Sequence, residues 1–184
     1  MSKYTDTIYA LSSPQGKSAI AVIRVSGKTA LKVIIKIAKI KKIIPNKTNL
    51  LFLKNKNAII DQALVIYFKS PNSFTGEDVV EIYCHGGFAV IDKISKTLEN
   101  NEVRLAEPGE FTKRALINDK IDLVKTESIS DIINAETEKQ RVLAIKNLSG
   151  GLSEFTTKIN QKISSNLANI EALIDFSDED LPSN

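Results

Sequence analysis

Residues 74–87 read FTGEDVVEIYCHGG. Val79-Val80-Glu81-Ile82-Tyr83 has the β-branched and aromatic make-up of a short strand, and Ser70-Pro71-Asn72-Ser73 before it has turn composition. After Gly86-Gly87, residues Val90, Ile91, Ile94 and Leu98 fall on one helical face. The strand carries a carboxylate, Glu81, at its centre and runs into the only cysteine and the only histidine of the chain, Cys84-His85. Alternation puts Glu81 on the face of Val79 and Tyr83, with Val80, Ile82 and Cys84 opposite. A carboxylate in mid-strand is costly to bury without partners. It is therefore exposed or kept for a ligand, and physics alone favours exposure. Neighbouring strand residues point to opposite faces, so Cys84 and His85 are poorly placed as a thiolate and its base. One Cys and one His also fall short of the four ligands of structural zinc. They read as a buried structural cysteine and a turn histidine. Gly86-Gly87 before a helix suits either an anion on free backbone N–H groups or tight turning.

Working outward, Thr7–Leu11 and Ala19–Val25 read as strands, joined by the loop SSPQGKS. Residues 28–42 follow a helical period, with Leu31, Ile34, Ile35 and Ala38 on one stripe and Lys28, Lys32, Lys36 and Lys39 on another. Leu50–Leu53 and Ala63–Phe68 are further strands. Alternating strands and helices up to residue 118 indicate an α/β or α+β domain. Gly16-Lys17-Ser18 resembles the end of a phosphate loop, but that pattern needs glycine where Leu11 stands, and a helix rather than a strand after the serine. The chain by itself is expected to bind no GTP or ATP.

Beyond residue 118 only helical patterns occur. Thr137-Glu138-Lys139-Gln140 fits a capping box opening a helix to about Leu148, and Ser149-Gly150-Gly151 ends it. A longer helix follows with Leu152, Phe155, Ile159, Ile163, Leu167, Ile170 and Ile174 on one stripe, which needs a partner. This half reads as part of a larger bundle. No apolar run approaches the ~20 residues of a membrane span, and no secretory signal opens the chain. A single cysteine excludes an internal disulfide and points to a reducing cytoplasm. The net charge is +3, unevenly placed. Nine lysines and no acidic residue lie between Lys28 and Lys56, while Asp175, Asp178, Glu179 and Asp180 cluster near the end. Such a block attracts RNA phosphates. Few aromatic residues are interleaved for base stacking, so a solvated helix face is the simpler account.

Four stretches together resemble one family: DTIYALSSPQGKSAIAVIRVSG (6–27), PNSFTGEDVVEIYCHGG (71–87), RLAEPGEFTKRALINDKIDL (104–123) and NLSGGLSE (147–154). In this order they are similar to the N-terminal part of the tRNA modification GTPases called MnmE or TrmE. The resemblance implies an α+β fold. Residues 1–118 would form a mixed-sheet, tetrahydrofolate-binding and dimerising domain similar to the folate-binding aminomethyltransferases. Residues 119–184 would be the first helices of an incomplete all-α domain, cut off at DFSDEDLPSN before any G domain. The first loop lacks the arginine and extra glycine common in the family, and Leu116 stands where an aromatic residue is usual.

The resemblance further implies that Arg24, Glu81 and Lys120 contact the folate, in a 5-formyl or 5,10-methylene form. Glu81 would accept the paired pterin N–H donors, and Arg24 and Lys120 would suit the carbonyls and glutamate tail. It implies a homodimer, a flavoprotein partner (MnmG, or GidA), tRNA as substrate and modification at carbon 5 of the wobble uridine. GTP, magnesium and potassium would belong to the full-length protein alone. Two other classes fit the residues less fully. A free-standing folate enzyme would need a second folate-fold lobe in place of the helices. A basic RNA-binding module would show steep salt dependence.

Overall fold

The computed structural model describes residues 4–175, so Asp178, Glu179 and Asp180 of the acidic cluster lie outside the described residues. The chain forms two compact units, residues 1–121 and 122–184. No helix among the described residues is long and apolar enough to cross a membrane. The first unit is α+β. Its strands are β1 (Thr7–Leu11), β2 (Ser18–Ser26), β3 (Thr48–Asn55), β4 (Ala58–Phe68), β5 (Val79–Gly86) and β6 (Val103–Leu105). They make one sheet in the order β3-β4-β5-β2-β1-β6. All neighbours pair antiparallel except β1 with β6, which are parallel. Helices α1 (Ala30–Ala38) and α2 (Phe88–Glu99) supply the apolar cover. Ile23, Val65, Val80 and Ile82 from the sheet pack in one core with Ile34 and Ile37 of α1 and Ile94 and Leu98 of α2. The period-2 pattern thus sends one set of strand residues inward. The alternate set leaves Ile20, Leu50 and Leu64 exposed.

Helix α1 is shorter than the periodicity of residues 28–42 suggests. Lys39 takes a left-handed conformation (φ 52°, ψ 44°) and its N–H caps the carbonyls of Ile35 and Lys36. The chain then turns Ile43 back into the core. The buried face is Val33, Ile34, Ile37 and Ala38, with Leu31 and Ile35 at its margin, one position round from the expected stripe. Two elements escaped the sequence reading: the short β6 and helix α3 (Glu110–Ile117). Neither has an apolar period strong enough to announce itself, and polar contacts hold α3.

Those contacts centre on Arg114, whose side chain is fully buried. Its Nη2 donates to Asp6 Oδ1 and to Glu110 Oε1, each at 2.8 Å, and its Nη1 to Glu77 Oε2 at 3.2 Å. Arg104 of β6 completes the cluster, reaching Glu110 at 2.6 Å and Asp6 at 2.7 Å. Ser26 donates to Glu77 at 2.7 Å. The Tyr4 ring lies 4.2 Å from the Arg114 guanidinium carbon. Hydrogen bonds from Arg104 pull the Glu110 carboxyl down to about 2, against the raising effect of burial, with the Glu107 N–H and Arg114 assisting. Burial acts to raise Asp6, but the two arginines outweigh it and hold it below the usual range. No buried side-chain N or O atom among the described residues lacks a hydrogen-bond partner.

The second unit holds α4 (Leu123–Ile133), α5 (Glu138–Leu148) and α6 (Gly151–Asp175). Asp122 caps α4 by accepting from the Lys125 N–H at 2.7 Å, and its second oxygen accepts from Ser153 at 2.9 Å. The Thr137–Gln140 capping box is present in both directions. Gly150, at φ 97°, makes the break between α5 and α6. Every residue of the α6 stripe named above is exposed, as is Leu173.

Arg114→Leu removes the common partner of three carboxylates. We expect a loss of about 3–5 kcal/mol in urea unfolding, and a change below about 1 kcal/mol would contradict the central role given to this side chain. The folded Glu110 carboxyl sits below its ordinary value of 4.5, so its stabilisation is complete above that value and is lost as pH falls towards 2. The urea midpoint should drop more steeply from pH 5 to pH 2 in the unmodified protein than in Glu110→Gln.

Candidate functional site

Arg24 of β2 and Glu81 of β5 sit directly opposite in the antiparallel register, on the sheet face away from α1 and α2. Arg24 Nε donates to Glu81 Oε1 at 2.9 Å, and Nη2 lies 2.8 Å from the same oxygen as an ion pair. The other oxygen, Oε2, accepts from the Tyr83 hydroxyl at 2.7 Å. That bond, with burial behind it, raises the Tyr83 phenol above its ordinary value. The Glu81 side chain is only 13% exposed, so the exposure favoured on physical grounds does not hold. A cross-strand arginine supplies what burial demands, and single-strand periodicity carries no information about what lies across the ladder.

Two aromatic rings flank this pair. The Arg24 guanidinium lies 5.3 Å from the Phe74 ring centre and 5.8 Å from that of Phe111, within cation–π range. Phe74 belongs to the FTGED turn and Phe111 to α3, both placed by the Arg114 cluster through Glu77 and Glu110. Lys120 reaches the same turn by another route. Gly76 has φ 76°, and a Cβ built on it would lie 3.0 Å from Lys120 Cγ, so the lysine stem runs across a glycine that leaves room for it. Asn118 Nδ2 donates to the Thr75 carbonyl at 2.7 Å and fastens the Asn118-Asp119-Lys120 segment to the turn. The fold thus joins Arg24 and Glu81 directly and brings Lys120, which is exposed, to the loop bearing Phe74.

Cys84 is buried, with Sγ 3.6 Å from the Ala21 carbonyl, and burial pushes its thiol up to about 11. His85 lies in the last part of β5 rather than in a turn. Its ring points to solvent, 71% exposed, and Nδ1 is 2.7 Å from Asp61 Oδ1. The two side chains lie on opposite faces. At Gly86 an added Cβ would fall 2.0 Å from Ser18 Oγ and 2.6 Å from the Ser18 carbonyl, so close strand approach explains this glycine. No group of three or more His, Cys, Asp or Glu among the described residues is placed to hold a metal ion.

Sequence reasoning passed over Phe74, Phe111 and Tyr83. Tyr83 was within reach, because it shares the Glu81 face two residues on. The two phenylalanines sit inside the FTGED and PGEFTKRA stretches, but the distance between those stretches in the chain hides their meeting. The arrangement is a half-buried carboxylate with acceptor capacity, a cation beside it and flat apolar walls. That suits recognition of a planar ligand rich in N–H donors.

Comparison with known proteins matches residues 7–120 to the family described as GTP-binding protein TrmE N-terminus and residues 123–184 to that of the MnmE helical domain. The chain is 42% identical over 183 residues to the tRNA modification GTPase MnmE of Campylobacter curvus, covering 99% of this chain and 41% of that protein. It is 48% identical over 184 residues to that of Fervidobacterium nodosum, covering 96% and 40%. The corresponding protein of Thermotoga maritima is 40% identical over 175 residues, covering 95% and 39%. The chain therefore spans about two fifths of the length of these relatives.

Arg24 and Glu81 should behave as one energetic unit. In a double-mutant cycle of Arg24→Met and Glu81→Gln, read by urea unfolding, we expect a coupling of about 0.5–3 kcal/mol. Additive losses would show that the pair makes no net contribution.

Proposed function

The chain belongs to the MnmE (TrmE) family of tRNA modification GTPases, and we propose that its first unit binds a reduced folate at the Arg24–Glu81 pair and pairs with a second copy of itself. The observation that carries this reading is the carboxylate on the open sheet face. Glu81 has about four lone-pair sites, and hydrogen bonds from Arg24 and Tyr83 occupy two of them. The two sites that remain can accept a flat pair of N–H donors while Arg24 keeps its bond to Oε1. The Arg24 N–H groups that Glu81 does not accept serve a folate carbonyl or tail carboxylate. Phe74 and Phe111 offer flat walls for an aromatic ring, and the Lys120 ammonium adds a positive charge suited to the glutamate tail. These residues fit a tetrahydrofolate in the 5-formyl or 5,10-methylene form.

A bound tetrahydrofolate supplies a one-carbon unit. Binding, orientation and exclusion of water at the pterin edge fall to this chain. In the whole protein that carbon serves modification at carbon 5 of the wobble uridine of tRNA in the cytoplasm, together with the flavoprotein MnmG. GTP hydrolysis would belong to a G domain beyond these residues. Self-pairing draws on the sheet face left open by the helices, where Ile20, Leu50 and Leu64 stand exposed, since homodimers commonly bury such faces in a two-fold contact.

Titration with 5-formyltetrahydrofolate tests the first claim. Glu81→Gln turns an acceptor into an NH2 that faces a donor. It should lose about 1.5–3 kcal/mol, roughly ten- to a hundredfold in affinity, while Cys84→Ala and His85→Ala stay within about twofold. A folded Glu81→Gln within about twofold of the unmodified protein would remove Glu81 as the pterin anchor. Sedimentation equilibrium tests the second claim: a dimer is expected at micromolar concentration, and a sole 20.3 kDa species would contradict it.

A further inference from the structure

The lysines between residues 28 and 56 are not spread evenly round the first unit. Four of them, Lys36, Lys39, Lys54 and Lys56, line one groove of about 580 Å³, where the C-terminal ends of α1 and α2 meet the β3–β4 hairpin. No carboxylate lines it; its other polar lining is amide and hydroxyl, from Asn55, Asn57, Asn100, Asn101 and Thr97. Two helix C-termini contribute about half a negative charge each. They offset about one of the four lysines, and a net positive surface remains.

Two of these lysines stand where the backbone favours glycine. Lys39 ends α1 at φ 52° and Lys56 turns the hairpin at φ 54°, both in the left-handed region that disfavours residues bearing a Cβ. Stability alone would prefer glycine or asparagine at a helix end and in a two-residue hairpin turn. Lysine at both positions retains a charge on the same groove, and Lys39 Nζ also meets Asn57 Oδ1 across it at 2.9 Å.

We propose that this groove is a binding surface for an RNA sugar-phosphate backbone. The charge comes from two separate elements and runs along the groove instead of converging on one point, which suits a polyanion better than a single small anion. Amide side chains can meet phosphate and 2′-hydroxyl oxygens without adding repulsion. A membrane surface fits less well, because Ile37 is the only apolar side chain in the lining and it is buried, so nothing apolar is offered for insertion. The groove stands on its own charge and shape; the choice of RNA as polyanion rests on the tRNA-modification reading above.

The test titrates an unmodified tRNA transcript into the 184-residue chain across a salt series, with vesicles containing phosphatidylserine as a parallel arm. Lys36→Ala/Lys39→Ala/Lys54→Ala/Lys56→Ala should weaken binding at 50 mM salt at least tenfold and flatten the slope of log K against log salt by about three. A control changing Lys113, Lys158 and Lys162 should leave both nearly unchanged. Lys39→Gly/Lys56→Gly is the decisive variant: it relieves two left-handed positions, so its thermal midpoint should not fall, yet its tRNA affinity should. Equal tRNA binding by the quadruple variant, or a preference for vesicles over tRNA, would overturn the proposal. Folate titrations on the same preparations keep the readings apart: folate binding without tRNA binding overturns the groove and spares the pterin site, whereas groove-dependent tRNA binding without folate binding supports the groove and removes the pterin site.

Discussion

One buried guanidinium organises the first unit. Arg114 lies on α3, yet its partners come from residue 6 at the entry to β1, residue 77 in the turn before β5, and residue 110 one helical turn away. A fully buried arginine is tolerated only when its donors are met by acceptors of opposite charge. Two distant segments must therefore converge on helix α3 and on its Glu110, and two of the three carboxylates bring an aromatic residue with them. Glu77 fixes the turn that bears Phe74, and Glu110 begins the helix that bears Phe111. Arg24 lies within cation–π distance of both rings.

Two of the ion-pair systems of this unit differ in kind. Around Arg114 the carboxylates of Glu77 and Glu110 are buried and fully paired, with Asp6 at the solvent edge, and Glu110 is driven to about 2 by its arginine neighbours. Around Arg24 the pairing is incomplete. One oxygen of Glu81 accepts from Arg24 Nε, with Nη2 2.8 Å away, while the second oxygen accepts only from a phenol. A saturated cluster contributes rigidity and excludes exchange. A cluster with acceptor capacity left, on the sheet face opposite α1 and α2, can trade partners at low cost. The same chemical pairing thus serves as scaffold in one place and suits recognition in the other.

The second unit follows local rules closely. Asp122 and the Thr137–Gln140 box cap two helices through their own side chains, and Gly150 provides the left-handed break before α6. What the unit lacks is apolar cover: the α6 stripe is exposed along its length. A stripe of that length is stable in water only when something buries it.

Local signals in the sequence decided a good deal. β1 emerged with its observed ends, and β2 and α5 close to theirs, because period-2 alternation and capping chemistry act within a few residues. That Cys84 and His85 point to opposite faces followed from alternation, although His85 lies in the strand and not in a turn. Local chemistry also ruled out a phosphate loop at Gly16-Lys17-Ser18, since Ser18 opens a strand. The end of α1 escaped, because Lys39 adopts a conformation that its side chain does not advertise. Helix α3 escaped because its anchor is an ion cluster with no apolar period to display. Glu81 is the clearest case. Its place in the strand and its face were legible, but its environment was not: that depended on Arg24, 57 residues earlier in the chain and directly opposite in the sheet. Periodicity reports which way a side chain points, and only the tertiary structure decides which charge it meets there.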